Sequence, residues 1–295
     1  MINIGLIGYS MANGHPYSFG SIINGFHPDE FDGEWEMIKT YLAKRPDVEY
    51  LSDMAYIRKV WTQDHARTLS IQKSCKIDKA CMSYEELTDM DAIIFARDDW
   101  NQRNYILNHF LALGIPCFCD KPLCIESSDL DFYMQYIEKG LLYTGSGFRF
   151  AYELDNHRAS IMDSFFISAY VVNNMEKYAI HILDAIFSAK ESPPLFAVNL
   201  KESIYETSEI TLSDKTVVRL TASPYLKSTF LINWWESSGC LNSVNLSDNF
   251  TAFRRLMIAF IKMVNTGINA DINKTYNSLN ALSMLHKTSN IISYE

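Results

Sequence analysis

The spacing of apolar residues divides the chain into two parts with different rhythms. In the first part, short apolar runs alternate with helix-like segments, a pattern that predicts a parallel sheet with right-handed crossovers. A polar, acidic stretch at residues 26–55, with one amphipathic piece at 35–42, is interpreted as an insertion. The strands are predicted at residues 3–7, 56–62, 92–96 and 115–119, and the helices at 17–25, 64–74 and 101–113, with Gly114 as the C-cap of the last helix.

The rhythm changes after Pro122, where runs of strands separated by turn residues predict an antiparallel sheet. We therefore expect an α/β protein: an N-terminal Rossmann-type parallel-sheet domain at 1–122, then an α+β domain at 123–295 with a large, mainly antiparallel open sheet. Two further helices close the chain. Helices are predicted at 127–139 and 178–189, and extended segments at 141–150, 165–172, 195–205, 208–212, 216–222, 229–235 and 240–246.

Composition and charge limit the kinds of partner that the protein is expected to bind. The chain has 295 residues, enough for about two domains of roughly 150 residues each. It carries 26 basic and 35 acidic residues, a formal charge of −9, with no dense run of Lys or Arg, so no nucleic-acid or membrane partner is expected. The apolar stretch 104–119, which has no charged residues, is shorter than the ~20 residues of a membrane helix. The N-terminus lacks a basic region and a cleavage site, which favours a cytoplasmic protein.

The six cysteines are not expected to form a disulfide framework, which is typical of short secreted chains. Cys117, Cys119 and Cys124 lie close together in the sequence, a pattern that raises the question of a metal site. Their spacing is not the C-x-x-C pair of zinc sites, and Cys117 and Cys119 alternate along a predicted buried strand. Structural thiols are favoured, and no metal is expected.

The turn after the first strand is the first candidate for chemistry. A dinucleotide fingerprint, G-x-G-x-x-G, permits a tight turn and a close approach of backbone to pyrophosphate. Here Gly8 takes the first position, Ser10 the second and Asn13 the third, with Gly14 one residue late. Serine is small, and asparagine tolerates left-handed dihedral angles. A tight strand-to-helix turn without a ligand fits these residues equally well.

The acidic residue that binds the adenosine ribose should end the second strand. The corresponding position is Thr62, which is not an acid, and Asp64 lies two residues later. Arg67 is placed to meet a 2′-phosphate. NAD and NADP therefore both stay open as the cofactor.

Two further motifs carry groups suited to proton and charge chemistry. Asp120-Lys121-Pro122 follows a predicted strand, and ligands of open α/β sheets gather outside the carboxyl ends of strands. Lys177, His181 and Asp184, spaced i, i+4 and i+7, share one helical face, where a histidine can act as general acid or base. The alternative for Lys121 is a solvated lysine in a turn. The alternative for His181 is a hydrogen-bonded histidine near the start of a helix.

Taken together, these pieces resemble the glucose–fructose oxidoreductase and inositol dehydrogenase family (Gfo/Idh/MocA). The resemblance covers about the first 190 residues, and beyond them it is a strand-rich pattern compatible with that family's second domain. Its most specific element is Asp120-Lys121-Pro122, which matches the family's Glu-Lys-Pro signature with Asp for Glu. The other elements are the Gly-x-Ser turn, the strand Asp-Ala-Ile-Ile-Phe-Ala, the run Gly-Ile-Pro-Cys-Phe-Cys before Asp120, a strand Gly147-Phe-Arg-Phe, and the helix with Lys177, His181 and Asp184.

The resemblance implies an NAD(P)-dependent dehydrogenase or reductase that acts on a sugar or nucleotide-sugar derivative. It implies that Lys121 lies near the nicotinamide and the reacting oxygen, and that His181 gives or takes the proton. Short pieces such as His15-Pro-Tyr-Ser and Trp61-Thr-Gln-Asp are similar to members found in bacterial surface-polysaccharide gene sets. A catalytically inactive dinucleotide-binding regulator or scaffold, and an imine-reducing enzyme, are the alternatives.

Two departures from the family pattern bear on the substrate. Many members carry an aspartate four residues before the histidine, where this chain has Lys177, and Arg97-Asp98-Asp99 replaces the usual Thr-Pro-Asn. Lys177, Lys121 and the oxidised nicotinamide would together form a cluster of positive charge, which favours an anionic, sugar-like substrate. Lys177 is then either the anion anchor or the acid/base. The expected catalytic residues are Lys121, His181, Lys177 and Asp184. The expected cofactor-binding residues are Gly8, Ser10, Asn13, Gly14, Thr62, Asp64, Arg67, Ala96, Arg97, Asp98, Asp120, Lys121 and Pro122. The expected substrate-binding residues are Lys121, Arg149, Lys177, Tyr178 and His181.

The second domain is also expected to mediate self-association. Trp234 and Trp235 are adjacent on one predicted strand, so they point to opposite faces of the sheet and both faces are apolar there. Pairing of two copies would cover the second face, and the family resemblance implies dimers or tetramers. A homodimer or homotetramer is the expectation, and a covering loop of the same chain is the alternative.

Overall fold

The computed structural model describes residues 1–31, 33–201 and 204–287, which fold into two compact units. The first unit comprises Met1–Leu123, Tyr133–Thr144 and Phe253–Ala270. The second comprises Cys124–Phe132, Gly145–Ala252 and the chain from Asp271 onward.

The first unit is built on a six-stranded parallel sheet with strand order β3-β2-β1-β4-β5-β6. Its central strands are continuous apolar runs because both faces are covered: every residue of β4 is buried. The strand β3 has two residues and no apolar pattern, and the sequence did not predict it. The strands are β1 (Ile2–Ile7), β2 (Ala55–Trp61), β3 (Lys79–Ala80), β4 (Ala92–Phe95), β5 (Cys117–Cys119) and β6 (Leu142–Thr144).

The predicted insertion is part of the packing of this unit. The indole of Trp35 stacks on the ring of Tyr17, with centroids 5.4 Å apart. A Cβ at Gly14 would lie 2.6 Å from Cε3 of Trp35 and would also collide with Ile38. Glycine is therefore required at position 14 by the insertion that packs on the turn. The helices around this sheet are α1 (His15–Asn24), α2 (Glu36–Leu42), α3 (His65–Ser74) and α4 (Trp100–Ala112).

The second unit contains a mixed sheet with strand order β12-β11-β7-β10-β9-β8. All its pairings are antiparallel except β7 with β10, which is parallel. Burial alternates along β9, β10 and β11, so that one face packs on helices and includes the fully buried Trp234. The strands are β7 (Ser164–Val172), β8 (Pro194–Lys201), β9 (Glu206–Leu212), β10 (Val217–Ser223), β11 (Phe230–Glu236) and β12 (Leu241–Asn245).

The remaining helices complete both units, and α5 and α8 have residues in each. Helices α7 and α9 pack on the sheet of the second unit. The parallel and the mainly antiparallel sheets confirm the predicted fold class. The helices are α5 (Ser127–Glu138), α6 (Arg158–Met162), α7 (Met175–Phe187), α8 (Asn249–Thr266) and α9 (Ile272–Lys287).

Two local predictions were wrong. The segment 141–150 is extended only as far as Thr144, and Gly147–Phe150 forms a 3-10 turn. The alternating Gly-Phe-Arg-Phe pattern imitates a strand, but the Ser146 side chain accepts the backbone N–H of Phe148 and caps the turn instead. The helix predicted from residue 178 begins at Met175, because the Asn174 side chain caps its first turn.

Candidate active site

Three turns of the first unit gather at the carboxyl edge of its sheet. Ile7 is the register partner of Phe95, and Phe95 is the partner of Cys119. Because β1, β4 and β5 end level with one another, Gly8, Ala96 and Asp120, which follow them, emerge at the same edge. The structure thus brings the glycine turn, the Ala96–Asp98 segment and the Asp120–Pro122 segment to one end of the sheet.

The glycine turn is connected to the turn after β4. The Ser10 hydroxyl donates a hydrogen bond to Oδ1 of Asp98, and the backbone N–H of Asp98 donates to Ser10 Oγ at 3.2 Å. Arg97, which is 5% exposed, makes a fork with Asp99 in which its Nε donates to Oδ1 at 2.9 Å. The guanidinium of Arg97 is therefore paired by its own turn.

The carboxylate of Asp120 makes several hydrogen bonds at this edge. It is 1% exposed. Its Oδ2 lies 2.6 Å from Nδ1 of His15 and accepts from the Asn13 amide at 3.3 Å, while Oδ1 accepts the backbone N–H of Lys121 at 2.9 Å. Burial acts to raise the pKa of Asp120, but His15 and then Lys121 outweigh it and hold the pKa below its ordinary value. Asp120 is therefore an ionised carboxylate that joins the glycine turn to the end of β5.

Lys121 is 6% exposed, and the chain that follows it is held by a buried arginine. The guanidinium of Arg103, on α4, donates to the backbone carbonyls of Pro122, Leu123 and Arg97. The bond to Leu123 measures 3.3 Å. Sequence reasoning missed Arg103 and also His15, because Arg103 bonds to backbone carbonyls and the partner of His15, Asp120, is 105 residues away. A histidine directly after the glycine turn was the one signal available.

The residues predicted at the ribose position lie together at the end of β2. Thr62 is 3% exposed, and its hydroxyl donates to the Asp64 carbonyl at 2.6 Å. Asp64 caps α3, because its Oδ1 accepts the N–H groups of Ala66 at 2.9 Å and Arg67 at 3.4 Å. The Arg67 guanidinium donates to Glu34 at 3.1 Å. These side chains are thus engaged with protein partners.

A nicotinamide dinucleotide, the cofactor that the sequence resemblance implies, can be tested against this edge. A Cβ at Gly8 would lie 3.0 Å from Cγ of Pro16 and 3.4 Å from Cγ2 of Thr62, so any larger residue would press on the first turn of the helix. This strand–glycine–helix arrangement, with the N-terminus of α1 at the turn, fits a bound diphosphate. The ribose position departs from the pattern, since Thr62 supplies no carboxylate.

In the second unit, α7 presents His181 from a buried setting. His181 is 9% exposed, and its Nδ1 lies 2.7 Å from Oγ of Ser146. Its ring packs against Phe148, Phe230 and Tyr178 at centroid distances of 5.8, 5.5 and 5.9 Å. An imidazole with one nitrogen held by the protein is suited to exchange a proton through the other.

A buried ion pair supports this arrangement. Asp184 is fully buried, and its Oδ1 lies 2.6 Å from a guanidinium nitrogen of Arg149. The other oxygen of Asp184 accepts the backbone N–H of Ser146, and Arg149 donates to the Thr275 hydroxyl at 2.9 Å. The structure therefore brings together the predicted residues His181, Asp184 and Arg149. It adds Ser146 and Thr275, which sequence reasoning missed.

Lys177 lies in the first turn of α7, one helical turn before His181, and its side chain is exposed. Its backbone N–H donates to Oδ1 of Asn174 at 3.0 Å. Tyr178 follows it and is half-buried. A lysine in the first turn is opposed by the helix dipole, so this position costs some stability.

The cysteines are free thiols, five buried and one, Cys240, exposed. Burial raises the pKa of Cys75 to about 12 and of Cys119 to about 11, and it raises the pKa of Cys117 well above the ordinary value. Such thiols stay protonated at neutral pH, which is typical of packing residues. In the part of the chain that the structure describes, no group of three or more His, Cys, Asp or Glu side chains is arranged to hold a metal ion.

Among the described residues, no helix combines the length and the apolar character required to span a bilayer.

Comparison with known proteins gives a likeness in fold. No family model matches the chain, and no curated protein matches it. UDP-N-acetylglucosamine 3-dehydrogenase from Acidithiobacillus ferrooxidans is 14% identical, with a TM-score of 0.72 over 97% of each chain. Scyllo-inositol dehydrogenase from Lactobacillus casei, solved with NAD(H) and scyllo-inositol, is 13% identical, with a TM-score of 0.72 over 98% of this chain and 96% of that one. GenD2 from gentamicin A biosynthesis, solved with NAD, is 8% identical, with a TM-score of 0.73 over 98% and 94%. The resemblance seen in the sequence is confirmed at the level of the fold: the chain has the fold of these dehydrogenases.

Proposed function

We propose that this protein is an NAD(P)-dependent dehydrogenase or reductase that acts on a sugar or nucleotide-sugar derivative. The observation that carries the proposal is a buried lysine, Lys121, at the carboxyl edge of the parallel sheet, in a fold whose solved examples include dehydrogenases with bound NAD(H). A lone surface lysine would not be 6% exposed beside an ionised aspartate. The 3-dehydrogenase of a nucleotide sugar and the inositol dehydrogenase support the substrate class.

The turns at the carboxyl edge would hold the dinucleotide. In this proposal Gly8–Gly14, with Ser10 and Asn13, would hold its diphosphate, and Thr62, Asp64 and Arg67 would receive its adenosine ribose. The nicotinamide half would be lined by Ala96, Arg97 and Asp98 and by the segment Asp120–Pro122. When bound, such a cofactor accepts or supplies a hydride at the carbinol or carbonyl carbon.

The side chains of this protein then supply the proton and the charge. Nε2 of His181 takes the hydroxyl proton during oxidation and returns it during reduction. The ammonium of Lys121 stabilises negative charge that develops on the reacting oxygen. Asp184 acts through Ser146 and Arg149 as a positioning residue. Lys177 anchors an anionic substituent of the substrate.

The finer assignments belong to the same proposal. Residues 1–122 would serve the cofactor and residues 123–295 the substrate and self-association. The enzyme would work in the cytoplasm as a homodimer or homotetramer, on an anionic intermediate of bacterial surface-polysaccharide synthesis. An imine-reducing enzyme would use the same cofactor and the same proton carrier. An assay in which an amine is added together with the ketone distinguishes it from a carbonyl reductase.

A second candidate function is a dinucleotide-binding regulator without chemistry, and one observation favours it. Asp98 accepts the Ser10 hydroxyl within the glycine turn, and Asp120 is tied to Asn13. Their negative charge would weaken the binding of the diphosphate, so that occupancy of the turn would follow the dinucleotide concentration, as a regulator requires. Ser10→Gly and Asp98→Asn test this directly: tighter dinucleotide binding without any turnover would support the regulator.

The proposal is tested by titrating NADH and NADPH while following quenching of the five tryptophans. Saturable binding of one of them below about 1 mM, equivalent to about −4 kcal/mol, is expected. With the substrate in hand, Lys121→Met and His181→Asn should each lower turnover about 10²–10⁴-fold. The His181 variant should keep its dinucleotide affinity. Binding of neither nucleotide would refute the proposal.

A further inference from the structure

The hydroxyl of Ser146 is a direct partner of the histidine that carries the proton in the proposed function. Its Oγ lies 2.7 Å from Nδ1 of His181, and the two residues are 2% and 9% exposed. Phe148 and Phe230 pack against the imidazole, so the contact lies in buried, largely apolar surroundings. In such low-dielectric surroundings a hydrogen bond is strong, and its loss leaves a polar nitrogen without compensation.

Ser146 is itself fixed from two sides. Its backbone N–H donates to the fully buried carboxylate of Asp184, and its Oγ accepts the N–H of Phe148 at 3.2 Å. Asp184 in turn is held by Arg149 at 2.6 Å. The carboxylate three residues after the histidine therefore holds the serine, and the serine holds the histidine.

We propose that Ser146 is the positioning residue of His181, and this rests on the proposed function. By occupying Nδ1 it orients the ring so that Nε2 is the nitrogen that exchanges the proton with the substrate. A hydroxyl both donates and accepts, so it stays bonded to Nδ1 in each protonation state of the ring. During oxidation the substrate proton passes to Nε2 while Nδ1–H donates to Oγ. During reduction the proton leaves Nε2 again, and Ser146 neither gains nor loses one.

The proposal predicts in which direction the midpoint of His181 protonation moves when the Ser146 hydroxyl is removed. Oγ accepts a hydrogen bond from the imidazolium, and hydrogen bonds to charged groups are stronger than those between neutral groups. Removing the hydroxyl should therefore disfavour the protonated ring. The midpoint of His181 protonation should move to lower pH in Ser146→Ala.

The experiment is an NMR titration of the histidine signals in the full chain, with the His181 signal assigned by its absence in His181→Gln. Ser146→Ala is expected to lower the midpoint by about 0.5–1 pH unit, and Ser146→Thr, which keeps a hydroxyl, to restore it. The matched control is Ser164→Ala, in the same unit. Ser164 is 3% exposed and donates to the Ile161 carbonyl at 2.6 Å, so its loss costs similar stability without touching His181.

Kinetics supply the second measurement. Ser146→Ala should lower kcat about 10–100-fold at unchanged dinucleotide Kd, with Ser146→Thr close to wild type. An unmoved midpoint in Ser146→Ala, a Ser146→Thr variant that behaves like alanine, or an equal shift in Ser164→Ala would overturn the assignment. If the midpoint shifts as expected while the wild type turns over no sugar or nucleotide sugar, the contact between Ser146 and His181 stands and the proposed function falls. If the wild type is active but the midpoint is unmoved in Ser146→Ala, the proposed function stands and the assignment of Ser146 falls.

Discussion

Two charged side chains of the candidate residues, Asp120 in the first unit and Lys177 in the second, lie in contrasting surroundings. In the first unit Asp120 is ionised and buried, and it touches His15, Asn13 and the backbone of Lys121. In the second, Lys177 stands exposed at the start of α7. The first is a buried charge held by several partners, and the second is a charge on an exposed side chain.

Asp120 should make the folding of the protein sensitive to acid. The pKa of its carboxyl in the folded protein lies below its ordinary value of 3.8, so its contribution is present above that value and is lost as the pH falls through the lower, folded pKa. Asp120→Asn should cost about 1.5–3 kcal/mol of unfolding free energy at pH 7, the worth of hydrogen bonds to a charged group. Urea unfolding at pH 7 and at about pH 3 measures it. The difference between wild type and variant should shrink at the lower pH, and a constant difference would contradict the prediction.

Lys177 should reveal whether the substrate is anionic. If its ammonium anchors an anion, Lys177→Met should raise KM for a charged substrate about 5–50-fold, an interaction of about 1–2 kcal/mol, and spare a neutral analogue. The matched control is Lys274→Met, on α9, whose ammonium pairs with Asp271 at 3.0 Å. If turnover falls for both substrates and the alkaline limb of the pH profile vanishes, Lys177 is the acid/base and the anchor assignment is wrong.

Helix α7 carries His181, and its start depends on a cap that the sequence pattern did not indicate. The Asn174 side chain accepts the Lys177 N–H at 3.0 Å, and Glu206 accepts the Met175 N–H at 3.0 Å. Asn174→Ala should therefore lower the unfolding free energy by about 1 kcal/mol, while Asn174→Asp, an equivalent cap, should not. Urea unfolding of the two variants checks this. Equal losses would mean that the side chain of residue 174 does not cap the helix.

The elements of the parallel sheet were predictable because buried strands are continuous apolar runs, as in Ala92–Phe95. The predicted carboxyl ends of these strands identified the edge of the sheet at which Asp120 and Lys121 lie. What escaped prediction depends on partners far apart in the chain: His15 and Asp120 are 105 residues apart, and Ser146 and His181 are 35 apart. A single sequence offers no local pattern for such contacts. The residue assignments themselves stay predictions until the variants are measured.

At the scale of the molecule, the described helices of the second unit pack on one face of the mixed sheet and leave the other face uncovered. Trp234 is fully buried on the covered face, while Trp235 on the opposite face contacts Phe166 at a ring-centroid distance of 5.3 Å. Phe196, on edge strand β8, is 55% exposed. Aromatic side chains on an uncovered face favour a second copy of the chain as its cover.

Light scattering should therefore give a mass of at least twice 33.9 kDa at micromolar concentration. Trp235→Glu should shift the mass toward the monomer, because it buries a charge in the interface. Tyr105→Glu, a change at a 77% exposed residue of α4 in the first unit, is the control and should leave the mass unchanged. A wild-type mass near 33.9 kDa would reject self-association.

Five of the six cysteines are buried and Cys240 is exposed, so the native protein can be labelled selectively at one thiol. Thiol-specific dyes react with the thiolate, and the buried Cys75, Cys117 and Cys119 hold their protons at neutral pH. Cys240 is exposed and directly precedes edge strand β12. A maleimide fluorophore should therefore attach at one position without any engineered cysteine, beside the sheet whose uncovered face is expected to pair. Energy transfer between donor- and acceptor-labelled copies would then follow the exchange of subunits in real time.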